Sequence, residues 1–243
     1  MTQPVHVLSA GSMRHAFPAI IVAFEQATGI AVSLTLGPAG LLRERIEAGE
    51  AFDLFASANM THPQRLASAG ITEDAICFAR NRLCVLARAD LGLTTVNFLE
   101  VLSDPHVKIG TSTPGDDPAG DYAFEVFDLI EAKHPARGGA MKSRSLQLVG
   151  GRDSPAPPPG KGGGYLIIDG KADLMMSYYS NARLLEADPV FSVVEIPAEF
   201  LPTVEYGVAV RKHASAQAKC LFDFLLSPQG QEILRAAGFL SID

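Results

Sequence analysis

The features that mark membrane, nucleic-acid-binding and metal-binding proteins are missing from this sequence. No apolar stretch in its 243 residues approaches the ~20 residues that a transmembrane helix needs. The formal net charge is −7 and there is no cluster of Lys and Arg, which excludes the basic face that nucleic acid or an anionic membrane surface requires. The six histidines are scattered without metal-ligand spacing. We therefore expect no metal, no cofactor and no nucleic acid, and any bound anion must be held by local groups.

Cysteine is scarce as well. The chain has no C-x-x-C pair, and its three cysteines are Cys77, Cys84 and Cys220. Their apolar surroundings favour buried, small hydrophobic side chains over metal ligands. A hairpin turn at Arg80-Asn81 would allow Cys77 and Cys84 to pair in an oxidising compartment, although this pairing is not expected.

The amino-terminal residues show no secretory signal. Residues 1–4 lead directly into the first predicted strand, without the basic and apolar regions of a signal peptide. Either the protein stays in the cytoplasm, or it is periplasmic and its signal peptide is absent from this sequence.

The sequence does contain a regular alternation of strand and helix patterns. Phe17, Ile20, Ile21 and Phe24 have the spacing of a helix that packs on one side, and Gly29 follows as a C-cap would. Segments that predict strands lie at 5–8, 30–36, 53–58, 75–79, 83–87, 107–110, 173–177, 191–196 and 205–210. The fourth and fifth of these also fit one long bent strand. The alternation predicts mainly parallel sheets covered by helices, with ligands bound at the carboxyl ends of the strands.

Ser12 lies where the first predicted strand turns into the first predicted helix, in the stretch SAGSM at 9–13. Such a turn leaves the first N–H groups of the helix without partners, beside the Ser12 hydroxyl. An ordinary N-cap is the alternative role for a serine at this place. The stretch GPAG at 37–40 repeats the arrangement before the helix predicted at 41–48. The repetition favours an anion site formed by helix N-termini.

One low-complexity stretch, SPAPPPGKGGG at 154–164, interrupts the alternation. Its prolines exclude a helix or an inner strand. Its spacing does not match a phosphate-binding loop, because Gly162 stands where Ser or Thr is required. Two interpretations are left: a surface loop, or a segment whose glycines bring backbone N–H groups to an anion.

Segments along nearly the whole chain, taken in order, resemble the molybdate-binding proteins of ABC transporters. They are VLSAGS (7–12), FEQATG (24–29), IEAG (46–49), DLFASA (53–58), FARNRL (78–83), DPAG (117–120) and FLLSPQGQEIL (224–234). The last of them is shared by many solute-binding proteins. The resemblance implies a type II periplasmic binding protein fold with two lobes, each a mixed, mainly parallel α/β sheet flanked by helices, and an oxyanion closed between them.

In that fold the chain leaves the first lobe, builds the second and returns to the first. We accordingly place lobe one at 1–86 and 206–243, and lobe two at 87–205. The crossings near 86–87 and 205–207 are the expected hinge. The resemblance also implies a periplasmic monomer that has no catalytic residues and delivers its oxyanion to the membrane permease of an ABC transporter.

The family holds a tetrahedral dianion through neutral donors, and the resemblance places these donors on the present chain. Ser12 matches the first binding serine, Ala119 a backbone donor at the start of a helix, and Tyr178 the binding tyrosine. Gly160 falls near a further backbone donor. The glycines expected to support these positions are Gly11, Gly40 and Gly120.

One position departs from the family. Its second binding serine, in a Gly-Ser-Ser-Gly turn, is replaced by Pro38-Ala39, so the N–H of Ala39 is kept and the hydroxyl is lost. A site made only of donors favours fully deprotonated anions, because the hydroxyl of hydrogen phosphate would find no acceptor, at a cost of about 1–3 kcal/mol. Molybdate or tungstate is the implied ligand, and sulfate is the alternative.

Two other functions deserve comparison with this one. A ligand-sensing effector domain of a regulator shares the fold, but it would normally follow a helix-turn-helix segment, and here a strand is predicted from residue 5. An enzyme would have to use Asp116 and Asp117 beside Lys161 as an acid/base site, yet no nucleophile and base are paired in the sequence. We therefore expect a binding protein and no enzyme.

Overall fold

The computed structural model describes residues 3–155 and 164–242. The chain forms two compact units, Met1–Asn81 with Val204–Asp243, and Arg82–Thr203. These boundaries lie a few residues before those predicted at 86–87 and 205–207. The first differs because Leu83–Arg88 is one continuous strand that pairs on both sides with strands of the second unit, so the chain crosses before this strand.

The elements are numbered along the chain. The strands are β1 Val5–Ala10, β2 Val32–Gly37, β3 Leu54–Ser57, β4 Ile76–Asn81, β5 Leu83–Arg88, β6 Ile109–Ser112, β7 Leu146–Val149, β8 Leu174–Tyr178, β9 Phe191–Glu195 and β10 Val204–Val210. The α-helices are α1 Phe17–Thr28, α2 Ala39–Glu47, α3 Thr61–Ser68, α4 Phe98–Ser103, α5 Pro118–Lys133, α6 Arg137–Arg144, α7 Tyr165–Ile168, α8 Tyr179–Ala182, α9 Ala216–Leu226 and α10 Pro228–Ala236. In the part of the chain that the structure describes, none of these helices is long and apolar enough to cross a membrane.

Each unit is built on one five-stranded mixed sheet. The strand order is β2-β1-β3-β10-β4 in the first unit and β7-β6-β8-β5-β9 in the second. The chain enters the second unit on β5 and returns to the first unit on β10. Each of these two strands runs antiparallel to both of its neighbours in the sheet. The other pairings, β1 with β2 and β3, and β6 with β7 and β8, are parallel. Parallel and antiparallel pairs are therefore equal in number.

Helix α1 shows how the sequence pattern produces the packing. Phe17, Ile20 and Phe24 are fully buried, and the ring of Phe24 meets Phe224 of α9 edge-on, with centroids 5.5 Å apart. Full burial of one such side chain stabilises the fold by roughly 1.5–3 kcal/mol. Gly29 ends the helix with φ of 70°, a left-handed conformation that glycine adopts without strain.

The turn before α1 differs from the prediction. The chain does not pass directly from β1 into the helix, because a 3-10 turn, Gly11–His15, lies between them. The helix begins only at Phe17, with Pro18 in its first turn. Proline is favoured at this place since the missing N–H would have no partner within the helix. Ser12 therefore belongs to the 3-10 turn and not to the start of α1.

The three thiols are free in the structure. Because β4 and β5 belong to two different sheets, they do not form the hairpin that would pair Cys77 with Cys84. Burial raises the pKa of the Cys84 thiol to about 12 and also raises that of Cys77. Among the described residues, no group of three or more His, Cys, Asp or Glu side chains is placed to hold a metal ion.

Candidate functional site

In the first unit, Ser12 and Ala39 are brought to the same edge of the sheet. β1 and β2 are neighbouring parallel strands whose register pairs Ala10 with Gly37, so the two strands end side by side. Ser12 follows β1 in the 3-10 turn, and Ala39 follows β2 as the first residue of α2. The two turns are so close that a Cβ atom on Gly11 would lie 3.8 Å from the carbonyl oxygen of Gly37. Two predicted donors are thus neighbours in the fold.

Helix α2 starts without a side-chain cap. Its N-cap residue is Pro38, and no side-chain cap hydrogen bond is formed there. The first N–H groups of a helix have no partner within the helix, and the helix dipole adds partial positive charge at this end. Ala39 is fully buried and Gly40 is buried beside it. The lost hydroxyl of the family's second serine therefore leaves the backbone donors of α2 in place.

Ser12 caps no helix. Its Oγ accepts a hydrogen bond of 3.0 Å from the hydroxyl of Tyr206, on β10. The Tyr206 hydroxyl in turn accepts one of 3.4 Å from Nδ2 of Asn81, the last residue of β4. Neither Tyr206 nor Asn81 was predicted as a site residue. The available signal was a tyrosine inside a strand, because a buried tyrosine hydroxyl usually finds a polar partner.

Arg14 is a further residue that the sequence analysis missed. It lies in the same 3-10 turn as Ser12, and its Nε donates to the carbonyl oxygen of Gly11 at 2.8 Å. A guanidinium group therefore lies against this turn and adds positive charge beside it.

In the second unit, Ala119 and Tyr178 follow neighbouring strands. β6 and β8 are adjacent and parallel, Tyr178 is the last residue of β8, and α5 with Ala119 follows β6. The buried ring of Tyr178 meets the ring of Tyr122, on α5, edge-on at a centroid distance of 6.4 Å. The structure thus groups these two predicted residues at one sheet edge, as it does Ser12 and Ala39 in the other unit.

Gly120 allows α5 to start close to β6. A Cβ atom at this position would lie 2.6 Å from both the carbonyl oxygen of Ser112 and the backbone nitrogen of Pro114. Real Cβ atoms do not approach backbone this closely, so any larger residue would push the helix start away from the strand. Gly120 is therefore needed for the close packing of α5 against the end of β6.

The N–H of Ala119 is not open in the structure. It donates to Oδ1 of Asp117 at 3.1 Å, because Asp117 is the N-cap of α5. Asp121, in the first turn, accepts from the N–H of Gly115 at 2.8 Å, and burial raises the pKa of its carboxyl group. The sequence analysis expected Ala119 to donate to an anion, and it overlooked that an anion would have to compete with the Asp117 carboxylate.

The remaining predicted residue, Gly160, lies outside the described residues, as does Lys161. Asp116 and Asp117, which were considered as an acid/base site of an enzyme, form hydrogen bonds with the backbone. Asp116 Oδ2 accepts from the backbone N–H of Arg152 at 2.9 Å, and Asp117 caps α5. Both aspartates therefore stabilise the loops of the second unit.

The chain matches the family model of the bacterial extracellular solute-binding proteins over residues 5–240. It belongs to this family. This solute-binding protein is 38% identical over 240 residues to an uncharacterized protein of Pasteurella multocida, with 97% of this chain and 98% of the other covered. It is 28% identical over 248 residues to the molybdate-binding protein ModA of Escherichia coli, with 97% and 88% covered.

Among solved structures, the periplasmic molybdate-binding protein of Azotobacter vinelandii superposes with a TM-score of 0.77 at 20% identity, covering 98% of this chain and 100% of the other. At this identity the likeness concerns the fold. The resemblance to molybdate-binding proteins and the predicted fold class are confirmed by these matches together with the two mixed sheets flanked by helices. The family is described by the binding of solutes.

Proposed function

We propose that this protein is the solute-binding component of an ABC transporter, that it binds molybdate or tungstate, and that it delivers the anion to a membrane permease. The location implied by this role is the periplasm, and the protein would act as a monomer. The proposal is supported by the molybdate-binding relatives and by the donors that each unit gathers at one edge of its sheet.

The observation that carries the proposal lies in the first unit. The Ser12 hydroxyl and the uncapped start of α2 at Ala39 stand at the ends of paired strands. Both offer protons and neither carries a formal charge. Hydrogen bonds from such groups to a charged acceptor are stronger than those between neutral groups, and the positive end of the α2 dipole adds to them. A small dianion matches this set of donors.

The second unit contributes Tyr178 and the start of α5 in this proposal. We propose that the Tyr178 hydroxyl donates to the oxyanion, and that the N–H of Ala119 does so when the carboxylate of Asp117 shares or gives up this donor. Gly160 is proposed as a further backbone donor. The crossings between the units, near 81–82 and 203–204, take the place of 86–87 and 205–207 as the proposed hinge.

A second ligand class is favoured by Asp117. Its carboxylate oxygen lies 3.1 Å from the proposed donor Ala119 N, and a carboxylate can accept a hydrogen bond from the hydroxyl group of hydrogen phosphate. At the start of α5, the hydroxyl group of hydrogen phosphate would therefore find an acceptor in Asp117. Sulfate, which is fully deprotonated near neutral pH, stays a candidate on the donor argument alone.

A melting series distinguishes these ligands. A ligand that binds only the folded protein stabilises it by about 4 kcal/mol at a thousandfold excess over Kd. Since each kcal/mol moves the melting temperature of a chain of this size by roughly 2–4 °C, molybdate or tungstate should raise it by about 8–16 °C. Sulfate should give a smaller rise and phosphate little. The four sodium salts are compared at matched ionic strength, with sodium chloride as the control.

The outcomes separate the proposals. A shift with phosphate that exceeds the shift with molybdate would replace the first ligand class with the second. No shift with any of the four oxyanions would contradict oxyanion binding altogether, since the donors described above would then serve another solute.

A further inference from the structure

We propose that Tyr206 and Asn81 are positioning residues that fix the Ser12 hydroxyl as a donor to the bound oxyanion. This inference rests on the proposed function, because it concerns the way in which one of the proposed donors is prepared. Neither residue needs to touch the anion itself.

The direction of the hydrogen bonds carries the argument. The Nδ2 group of Asn81 can only donate, so the Tyr206 hydroxyl is the acceptor in the bond of 3.4 Å between them. The proton of Tyr206 is then directed to Ser12 Oγ, 3.0 Å away. A serine hydroxyl has a single proton. With one lone pair of its oxygen occupied by Tyr206, Ser12 keeps that proton for an acceptor beyond the chain of hydrogen bonds.

The two positioning residues are held by the sheet of the first unit. Tyr206 is fully buried, and its ring lies edge-on between Phe78, at a centroid distance of 6.4 Å, and Phe239, at 5.2 Å. Asn81 is 5% exposed and sits on β4, which pairs with β10 next to it. A donor that is oriented by residues on rigid strands loses little freedom when the ligand binds.

The two positioning residues also strengthen the donor. Hydrogen bonds arranged in a chain polarise one another, so an oxygen that accepts one bond becomes a better donor of its own proton. If Tyr206 loses its hydroxyl, Ser12 keeps its side chain, but its proton is no longer directed and its oxygen is no longer polarised. The affinity for a dianion should then fall, although every group proposed to touch the anion is still present.

A double-mutant cycle tests the proposal. The affinity for molybdate is measured by titration calorimetry for the unmodified protein, Tyr206→Phe, Ser12→Ala and the double variant. Tyr206→Phe should weaken binding by about three- to tenfold, the range of a typical hydrogen bond. In the Ser12→Ala background the same change should have no further effect, because the residue through which Tyr206 acts is gone.

Two further variants sharpen the cycle. Tyr179→Phe removes a tyrosine hydroxyl that bonds Glu186 in the second unit, and it should leave the affinity unchanged. Asn81→Ala removes the group that sets the direction of the Tyr206 hydroxyl, and it should weaken binding by about twofold or more, again only while Ser12 is present. Melting curves without ligand show whether each variant is folded.

The results separate this inference from the proposed function. If Tyr206→Phe weakens binding equally with and without the Ser12 hydroxyl, or has no effect where Ser12→Ala has one, the positioning role is overturned and oxyanion binding stands. If the unmodified protein does not bind molybdate, tungstate, sulfate or phosphate, the proposed function fails and this inference fails with it.

Discussion

The two units use the same local arrangement, a parallel strand that turns into a helix, but they differ in the residue that precedes the helix. In the first unit the N-cap of α2 is Pro38, which forms no side-chain cap. In the second unit the N-cap of α5 is Asp117, whose carboxylate accepts from the N–H of Ala119. One side-chain difference therefore decides whether a helix start offers open donors or donors already bonded to a negative charge.

The electrostatic surroundings follow the same division. Arg14 lies against the turn that holds Ser12 in the first unit. In the second unit, Asp117 is the N-cap of α5 and Asp121 lies in the first turn of this helix. In the proposed function, the first unit therefore offers the more favourable surroundings for a dianion, and the second unit offers an acceptor for a ligand hydroxyl group. The same strand-to-helix arrangement in both units therefore does not give the same electrostatic surroundings.

The largest expected effect is a loss of stability when the packing of α5 in the second unit is disturbed. In Gly120→Ala the new Cβ atom would meet backbone at 2.6 Å, so α5 must move away from β6. We expect a loss of about 3 kcal/mol of unfolding free energy, which lowers the melting temperature by roughly 6–12 °C. Thermal denaturation followed by circular dichroism measures the loss.

Gly139→Ala is the matched control. Its Cβ atom would meet the carboxylate group of Glu131 at ordinary distances, 3.7 Å to Oε2 and 4.0 Å to Cδ. Alanine is favoured over glycine in helices by about 1 kcal/mol. The melting temperature of this variant should stay the same or rise. Equal losses for the two glycines would show that the close approach of α5 to β6 is not what Gly120 provides.

The second largest effect is expected on the affinity for molybdate, when a hydroxyl group is removed from either unit. Ser12→Ala removes a donor from the first unit and Tyr178→Phe removes one from the second. Each should weaken molybdate binding by about 1–3 kcal/mol, the range for hydrogen bonds to a charged group, and should leave the fold intact. Calorimetric titrations give both values. An unchanged affinity in either variant would remove that residue from the proposed site.

The fold was largely predictable because its signals are local. The spacing of Phe17, Ile20 and Phe24 predicts α1 and its buried side, and Gly29 predicts where it ends. β7 was not predicted, because its four residues, LQLV, are too few to show a strand pattern and its first two side chains are exposed. Boundaries between the units depend on which strands pair, and pairing is a property of distant residues.

The candidate site was predictable to a smaller extent. Ser12, Ala39 and Tyr178 could be located because each lies at or just after the end of a strand, and parallel strands bring their carboxyl ends to one edge. The bond between Tyr206 and Ser12 joins residues 194 positions apart, so no local pattern indicates it. Asp117 stood in the recognised DPAG segment, and its capping role could have been read from an Asp before a Pro at a helix start.

A smaller effect tests the electrostatic difference between the halves. Asp117→Asn keeps an acceptor that caps α5 nearly as well, but it removes the negative charge. The Coulomb penalty of a carboxylate a few ångströms from a charged ligand is about 1 kcal/mol where water screens it. Molybdate should therefore bind about fivefold more tightly to this variant. Hydrogen phosphate should gain less, because the acceptor of its hydroxyl group changes from a charged carboxylate to a neutral amide oxygen.

Asp128→Asn provides the control for this charge change. Asp128 lies on the same helix, where it pairs with Lys142 on the surface, and its replacement should not alter the affinity for either anion. If Asp117→Asn weakens molybdate binding, the carboxylate helps to hold the helix start in its binding position, and the contrast drawn between the two units would be incorrect.

The smallest effect on binding is expected from the thiols, which are distributed over both units. Every donor proposed here is an oxygen or a backbone nitrogen, so a variant with Ala at Cys77, Cys84 and Cys220 should bind molybdate as tightly as the unmodified protein. Its unfolding free energy should fall by about 1–2 kcal/mol, because Cys84 is 1% exposed and its replacement leaves a small cavity.

Thiol chemistry gives a second measurement on the same residues. The thiolate is the reactive form of cysteine, and burial raises the pKa of Cys84 to about 12. In the folded protein at pH 8, Cys84 should therefore resist a disulfide-exchange reagent, and it should react only after denaturation. If Cys84 reacted quickly in the native protein, its burial and its raised pKa would be contradicted. If binding were lost from the folded cysteine-free variant, a thiol would have to be added to the proposed site, and the contrast between the two units could no longer be described by oxygen and nitrogen donors alone.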